Sequence, residues 1–265
     1  MKIALIQHDI VWEDPEATRE HVQPLLERAA AGGADLAVLP EMFGVGFSMQ
    51  TGRIAEAEDG PTIRWLSRMA STLRLAVIGG VPVRTDRGIE NQAIVFDSSG
   101  LCLARYAKIH PFKYAGEHEH FSAGSAFSLF SLHGLRFGLA VCYDLRFPEL
   151  YRRLVRSGAE VLVTIANWPA ARVDHWSHLL KARAVENLAY AVGVNRTGSG
   201  NGLAYPGRAA VIDPSGKVLA EGGEEEDVIL AEITQERVRD LREQFPFLDD
   251  SRTDIFPDLF SGEGS

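Results

Sequence analysis

Short apolar runs recur along this chain, and only some of them are separated by longer helical segments. That rhythm constrains the fold more than any other feature. Parallel neighbours need a long crossover, whereas a tight turn returns the chain antiparallel. Residues 2–8 (KIALIQH) read as a first strand. Residues 14–31 read as a helix, with Asp14 as N-cap, Pro15 in the first turn and Gly32-Gly33 as its stop. DLAVLPE is a second strand ending at Pro40-Glu41, and a helix follows over 61–74. Strand-like runs then crowd together: LAVIGGVPV, NQAIVFD, LCLARYAKI, FSLFSL and LRFGLAVCYD, with TDRG and DSSG as turns. A helix near 148–157 leads to AEVLVTIAN, and a longer one over 174–189 leads to YAVGVN. GRAAVID and DVILAEI are late strands, with DPSG a hairpin turn, and a final helix lies near 234–243. Mixed βα units and hairpins predict an α/β sandwich rather than a purely doubly wound sheet. The hydrophobic content of 46% suits a sizeable core, in one large domain or at most two small ones. The expected organisation is a single domain over 1–246 and a Phe-, Pro- and Asp-rich tail over 247–265, for which a dimer partner is the candidate packing surface.

Charge removes several classes of partner. A net charge of −9 argues against nucleic acid and anionic membranes. No apolar run approaches the roughly 18–20 residues of a membrane span. MKIALIQHDIVW lacks the long apolar region and small-residue cleavage site of a signal peptide. With two cysteines, Cys102 and Cys142, a disulfide framework is not expected and a reducing cytoplasm is the expected setting. Cys102, within GLCLARY, reads as a buried filler.

In α/β proteins chemistry gathers beyond the carboxyl ends of strands. Glu41, Lys108, Cys142 and Asn167 all fall at such ends. Cys142 opens a polar stretch, CYDLRFPEL, where a strand gives way to a turn. A thiol there is a candidate nucleophile if a base stands near, and the Tyr143 N–H would be free to donate to an oxyanion. Glu41 is the candidate base, with Met42 and Phe43 as apolar neighbours. Lys108 stands out in a chain with five lysines against twenty-two arginines, as a compact cation able to hold an oxyanion. GEHEH (116–120) looks solvated. Its two histidines and two glutamates raise the question of a metal, but no second cluster has ligand spacing, so none is expected. Glu117 reads better as a hydrogen-bond partner of the lysine or a lining residue.

Three segments then stand in order: AVLPEMF (37–43), YAKIHPF (106–112) and AVCYDLRFPEL (140–150), with Lys108 67 residues after Glu41 and Cys142 34 after Lys108. In this the chain resembles the nitrilase superfamily of carbon–nitrogen hydrolases, over nearly its whole length. EHEHFSAG is similar to the superfamily's E-x₆-G segment and places its glutamate at Glu117. PEMFGVGFSM (40–49), ANWPAARVDHW (166–176) and LKARAVENLAYAVGVNRTG (180–198) resemble the omega-amidase branch, whose substrates are 2-oxoglutaramate and 2-oxosuccinamate. CYDLRFPEL is shared with amidases of deaminated glutathione. The resemblance implies a four-layer α-β-β-α sandwich, homodimers with extended sheets, and a triad of Glu41, Lys108 and Cys142 supported by Glu117. It also implies amide hydrolysis through a cysteine thioester without metal or organic cofactor. Arg172 is the candidate partner of a substrate carboxylate, with Phe47 and Trp168 walling its carbons. Arg146 is a rival, with a structural ion pair to Glu149 or another acid as its other reading. A deaminated-glutathione amidase, a nitrile hydrolase and a catalytically inactive interaction protein remain alternatives.

Overall fold

The alternation of β1 (Lys2–Gln7) already separates two cores. Ile3 and Leu5 join a core shared by two sheets, while Ala4 and Ile6 join a second one beneath helices. The computed structural model describes residues 1–252 and 254–255. After β1 come α1 (Pro15–Ala31), β2 (Leu36–Val38), α2 (Thr51–Ile54), β3 (Glu56–Ala57) and α3 (Pro61–Leu73). A meander follows of β4 (Ala76–Thr85), β5 (Gly88–Phe96) and β6 (Cys102–Ala107). The second half holds β7 (Leu129–Leu132), β8 (Leu135–Val141), α4 (Pro148–Arg156), β9 (Val161–Ala166), α5 (Val173–Asn187) and β10 (Tyr190–Asn195). It closes with β11 (Thr197–Gly200), β12 (Leu203–Pro206), β13 (Ala210–Ile212), β14 (Val218–Glu221), β15 (Asp227–Glu232) and α6 (Gln235–Gln244).

One sheet has the order β15-β1-β2-β4-β5-β6, with β3 beside β4; the other has the order β14-β13-β10-β9-β8-β7. Helices α1 and α3 cover the first sheet, and α4 and α5 the second, which completes the α-β-β-α sandwich. Two glycines set how closely the second helical layer approaches. A Cβ on Gly138 of β8 would lie 2.9 Å from Leu154 of α4, and one on Gly193 of β10 would lie 2.3 Å from Leu180 of α5. The N-terminus of α1 forms as expected: the Asp14 carboxylate accepts from Ala17 N at 3.0 Å, with Pro15 behind it.

Strands β8, β9 and β10 are mutually parallel, as are β1, β2 and β4, and β6 runs in the direction of β4. Carboxyl ends from both sheets therefore meet at one rim.

The structure corrects two local readings. Cys102 is exposed: it is the first residue of edge strand β6, where the register with β5 shifts. LRFGLAVCYD is not strand throughout, because it ends at Val141 and a 3-10 turn over Cys142–Arg146 replaces it. The β11–β12 hairpin was not anticipated, since TGSGNGLAYP shows no clean apolar alternation. Among the described residues no helix is long and apolar enough to cross a membrane. The described start of the tail rests on its own chain, where Arg156 of α4 donates to the Leu248 carbonyl. Residues 253 and 256–265 of the expected tail lie outside the described residues.

Candidate active site

Cys142 has a φ of +48°, in a left-handed region that costs a non-glycine residue of order 1–3 kcal/mol. The strain is held by Asp144, two residues on and fully buried. Its carboxylate accepts from Val141 N at 2.9 Å and Tyr106 Oη at 2.7 Å. It also accepts from His110 N at 3.0 Å and from His110 Nδ1 at 2.7 Å. One carboxylate thus ties the cysteine turn to the segment carrying Lys108. Buried Arg183 of α5 holds the same turn at its Leu145 carbonyl, donating through Nε at 3.2 Å and Nη2 at 2.7 Å. Tyr143 is the second residue of the turn, so its N–H precedes the first acceptor within it and is free to donate outward.

Glu41, Lys108 and Glu117 are buried to 0%, 1% and 0% exposure, which makes their mutual pairing obligatory. Lys108 Nζ donates to Glu41 Oε1 at 2.9 Å and, in a forked contact, to Glu117 Oε2 at 2.8 Å and Oε1 at 3.1 Å. Asn91 Nδ2 bridges the same carboxylates, at 2.7 Å from Glu41 Oε1 and 3.0 Å from Glu117 Oε1. Glu41 Oε2 accepts from Asn167 N at 2.9 Å, and the Glu41 carbonyl accepts from Asn167 Nδ2 at 2.5 Å. Those last two bonds join the sheets at the rim. The Cys142 thiol stands close enough to Glu41, Lys108 and Glu117 to feel the charge of each.

Backbone space fixes these positions. A Cβ on Gly80 would fall 2.5 Å from Met42 N and 2.6 Å from Glu41 Cα, so β4 can pass the Glu41 loop only as glycine. Gly124, the glycine of E-x₆-G, packs where a Cβ would lie 2.2 Å from the Ala107 carbonyl oxygen, and its N–H donates to the Lys108 carbonyl at 2.9 Å. The segment therefore clamps the end of β6 as well as supplying Glu117.

Burial pushes the Cys142 thiol well above its ordinary range, and the carboxylates of Glu41 and Glu117 push the same way against Lys108. Burial alone would favour a neutral Lys108, but Glu117 and Glu41 outweigh it and hold the ammonium well above its usual value. At rest the sulfur is a thiol and the lysine a cation.

Cys142 opens onto a cavity of about 380 Å³. Phe47, Trp168 and Tyr205 give it aromatic walls, and Arg146 and Arg172 are its cations. Arg172 lies 5.5 Å from the Phe112 ring centre, and its carbonyl accepts from Trp168 Nε1 at 2.7 Å. The expected Arg146–Glu149 ion pair does not form. Arg146 instead sits 4.9 Å from the Trp168 ring centre and donates to His175 Nδ1 at 3.1 Å, because the turn aims it across the cavity rather than along α4. Neither arginine has a carboxylate partner among the described residues. A larger groove of about 940 Å³ lies beyond Tyr143 and Phe147 and does not include Cys142.

The structure brings together every residue singled out from the sequence: Glu41, Lys108, Glu117 and Cys142 in one cluster, with Phe47, Tyr143, Trp168 and Arg172 lining the cavity above it. GEHEH is split, with Glu117 turned inward while His118, Glu119 and His120 are exposed. Among the described residues no group of three or more His, Cys, Asp or Glu side chains could hold a metal. Asn91 and Asp144 were missed, as was the part played by Asn167. A polar residue opening the apolar run NQAIVF was the available signal for Asn91.

A half-buried thiol beside a carboxylate, with an ammonium held by two carboxylates next to it, defines a cysteine-centred hydrolase type on an α-β-β-α sandwich. The carbon-nitrogen hydrolase family model matches residues 2–243, and the chain belongs to that family. It is 38% identical to "Omega-amidase YafV" of Escherichia coli K12, over 95% of this chain and 96% of that protein. It is 36% identical to "2-oxoglutaramate amidase" of Bacillus subtilis, over 96% and 98%. Among solved structures it is similar to a CN-hydrolase superfamily protein of Xanthomonas campestris with an arsenic adduct in its active site, with a TM-score of 0.90, 38% identity, and coverage of 95% and 97%.

Proposed function

We propose that this carbon–nitrogen hydrolase is an amidase that releases ammonia from the terminal amide of a small 2-oxo acid such as 2-oxoglutaramate or 2-oxosuccinamate. The observation that carries the reading is the placement of Cys142, beside Glu41 and Lys108, at the floor of a cavity whose two arginines lack carboxylate partners among the described residues. Similarity to proteins named for omega-amidase and 2-oxoglutaramate amidase activity supports the substrate class.

Glu41 takes the thiol proton as Cys142 Sγ attacks the amide carbon. Because burial keeps the sulfur protonated, deprotonation and attack are coupled. The oxyanion is met by Lys108 Nζ and the Tyr143 N–H, and such preorganised donors are typically worth several kcal/mol, about 2.7–4 for one donor. Glu41, now an acid, gives its proton to the amide nitrogen. The C–N bond breaks, ammonia leaves, and a thioester remains. Water then attacks the thioester carbon while Glu41 accepts its proton, and the same proton returns to the departing sulfur. Glu117 and Asn91 hold Lys108 and Glu41 in register throughout. The substrate's far carboxylate meets Arg172, with Arg146 as second cation, and its carbons lie between Trp168 and Phe47. The same reading needs no metal or organic cofactor and sets the enzyme in the cytoplasm as a homodimer.

Ammonia release measured across 2-oxoglutaramate, 2-oxosuccinamate, deaminated glutathione, glutamine and a nitrile tests the proposal. Highest kcat/KM on a 2-oxo acid amide supports it. Preference for deaminated glutathione or a nitrile, or no release at all, overturns it.

A further inference from the structure

The cavity's outer walls are two short segments outside the main sheets. One is the loop after Glu41, which supplies Phe47 and Met49; the other is the β11–β12 hairpin, which supplies Asn201, Leu203 and Tyr205. The loop rests Phe47 and Met49 on a small apolar cluster of Met42, Val45, Ile54 and Phe121, apart from the two main cores, while the hairpin adds nothing to either main core. Both walls also lead to one shared place.

The indole of Trp12 is that place. A Cβ on Gly46, beside Phe47, would lie 2.9 Å from Trp12 Cε3 and 3.5 Å from Arg196 Nη1. A Cβ on Gly200, in the hairpin, would lie 2.9 Å from the same indole carbon and 2.8 Å from the same guanidinium nitrogen. Both walls therefore pack, backbone first, on one aromatic edge and one cation. Arg196 is fully buried and distributes its donors between the hairpin and the N-terminal segment. Nε reaches the Thr197 carbonyl at 3.1 Å; Nη2 reaches the Ser199 carbonyl at 2.9 Å and Asp9 Oδ1 at 2.5 Å. Its guanidinium carbon lies 4.4 Å from the ring centre of Tyr205, a wall residue. Glu13, next to Trp12, anchors the other wall: its N–H donates to the Val45 carbonyl at 3.0 Å, and its carboxylate accepts from Ser48 Oγ at 2.6 Å.

Trp12 and Arg196 themselves do not line the cavity. We propose that Trp12 and Arg196 are positioning residues that set the spacing of the two cavity walls and thereby decide which substrates fit above Cys142. The substrate arm of this inference rests on the amidase reading; the wall spacing does not. Displacing a wall moves the far end of a substrate and leaves the buried catalytic cluster intact, so the loss should fall on KM.

The test uses Gly200→Ala, which forces a methyl between the hairpin and the Trp12–Arg196 pair at a backbone φ open to alanine, together with Arg196→Lys, Trp12→Leu and Trp12→Phe. Expected for the first three is a KM for 2-oxoglutaramate raised about 10-fold with kcat within about twofold, the pattern of binding lost equally from ground state and transition state. Trp12→Phe, which keeps an aromatic edge, should restore most of the difference. In a Cys102→Ser background, alkylation of Cys142 by iodoacetamide should be unchanged, while its reaction with a bulky aromatic disulfide should change several-fold. Unchanged KM and unchanged bulky-reagent rates in folded variants overturn the proposal. So does a parallel fall of kcat and of iodoacetamide reactivity, which would place the damage in the catalytic cluster. Absence of wild-type turnover with altered bulky-reagent rates overturns the amidase reading and leaves the wall assignment supported.

Discussion

Replacing Glu41 by glutamine tests the catalytic reading where the structure is least forgiving. Glu41 Oε1 accepts from Lys108 and Asn91, and Oε2 accepts from the Asn167 N–H. A glutamine can place its oxygen at only one of these positions. Facing Lys108 and Asn91 with oxygen sets its NH₂ against the Asn167 N–H, which leaves a buried donor unsatisfied at about 1–3 kcal/mol. At roughly 2–4 °C per kcal/mol for a chain of this size, Tm should fall by about 2–12 °C, which differential scanning calorimetry resolves. Turnover should fall further than stability. Losing the proton carrier costs at least about 10²-fold in kcat, or about 2.7 kcal/mol of barrier. The thiol should respond in the opposite sense. Glu41 helps to hold Cys142 protonated, so removing its charge lowers the thiol pKa. The pH profile of alkylation by iodoacetamide should therefore move to lower pH in Glu41→Gln while ammonia release is lost. Turnover within a few-fold of wild type, or an alkylation profile moved to higher pH, would refute the assignment of Glu41 as base.

Cys142→Ala should abolish ammonia release in a folded protein, whereas Cys102→Ala, on an exposed edge strand, should leave it near wild type; a coupled ammonia assay separates them. Arg172→Met should raise KM for 2-oxoglutaramate about 10–100-fold, the loss of one charge-assisted contact worth roughly 1.5–3 kcal/mol, while barely affecting a short amide without a carboxylate. Arg146→Met distinguishes the second cation by the same comparison. Asp144→Asn cannot serve as acceptor for Val141, Tyr106 and His110 together, and should lower both Tm and kcat, with Cys142 alkylation reporting the disturbed turn. Buried His8, pushed down to about 3 by desolvation, stays neutral in the fold while the unfolded chain takes up a proton below about 6.5. Stability should therefore fall with pH between about 6.5 and 3, by up to about 1.4 kcal/mol per pH unit, and a urea-midpoint series should show less of this slope in His8→Gln.

The layers of the fold were legible because the apolar runs and helices had unambiguous periods. The positions of Glu41, Lys108 and Cys142 were legible as candidates because each residue follows a strand, and strand ends are where α/β chains gather their chemistry. What the sequence hid was mutual satisfaction. Nothing in NQAIVFD announces that Asn91 reaches two carboxylates, because the second carboxylate arrives from a loop 26 residues later. Arg146 looked like half of an ion pair because Glu149 was near in sequence, but the strained turn at Cys142 redirects it. The β11–β12 hairpin was invisible for a related reason: its seat is made from polar groups and glycine contacts rather than an apolar stripe. Exposure of Cys102 followed from sheet order, which local pattern does not carry.

The pairing of Lys108 with two carboxylates, instead of with sulfur, bears on how the enzyme survives oxidants. Peroxides and disulfides react with thiolate, and redox-sensing cysteines are those whose neighbours lower the thiol pKa. Here the lysine beside the sulfur is committed to Glu41 and Glu117, and those same carboxylates discourage ionisation of Cys142. On the proposed mechanism Cys142 is thus kept chemically quiet between turnovers, and becomes reactive when a bound carbonyl gives the proton transfer somewhere to lead.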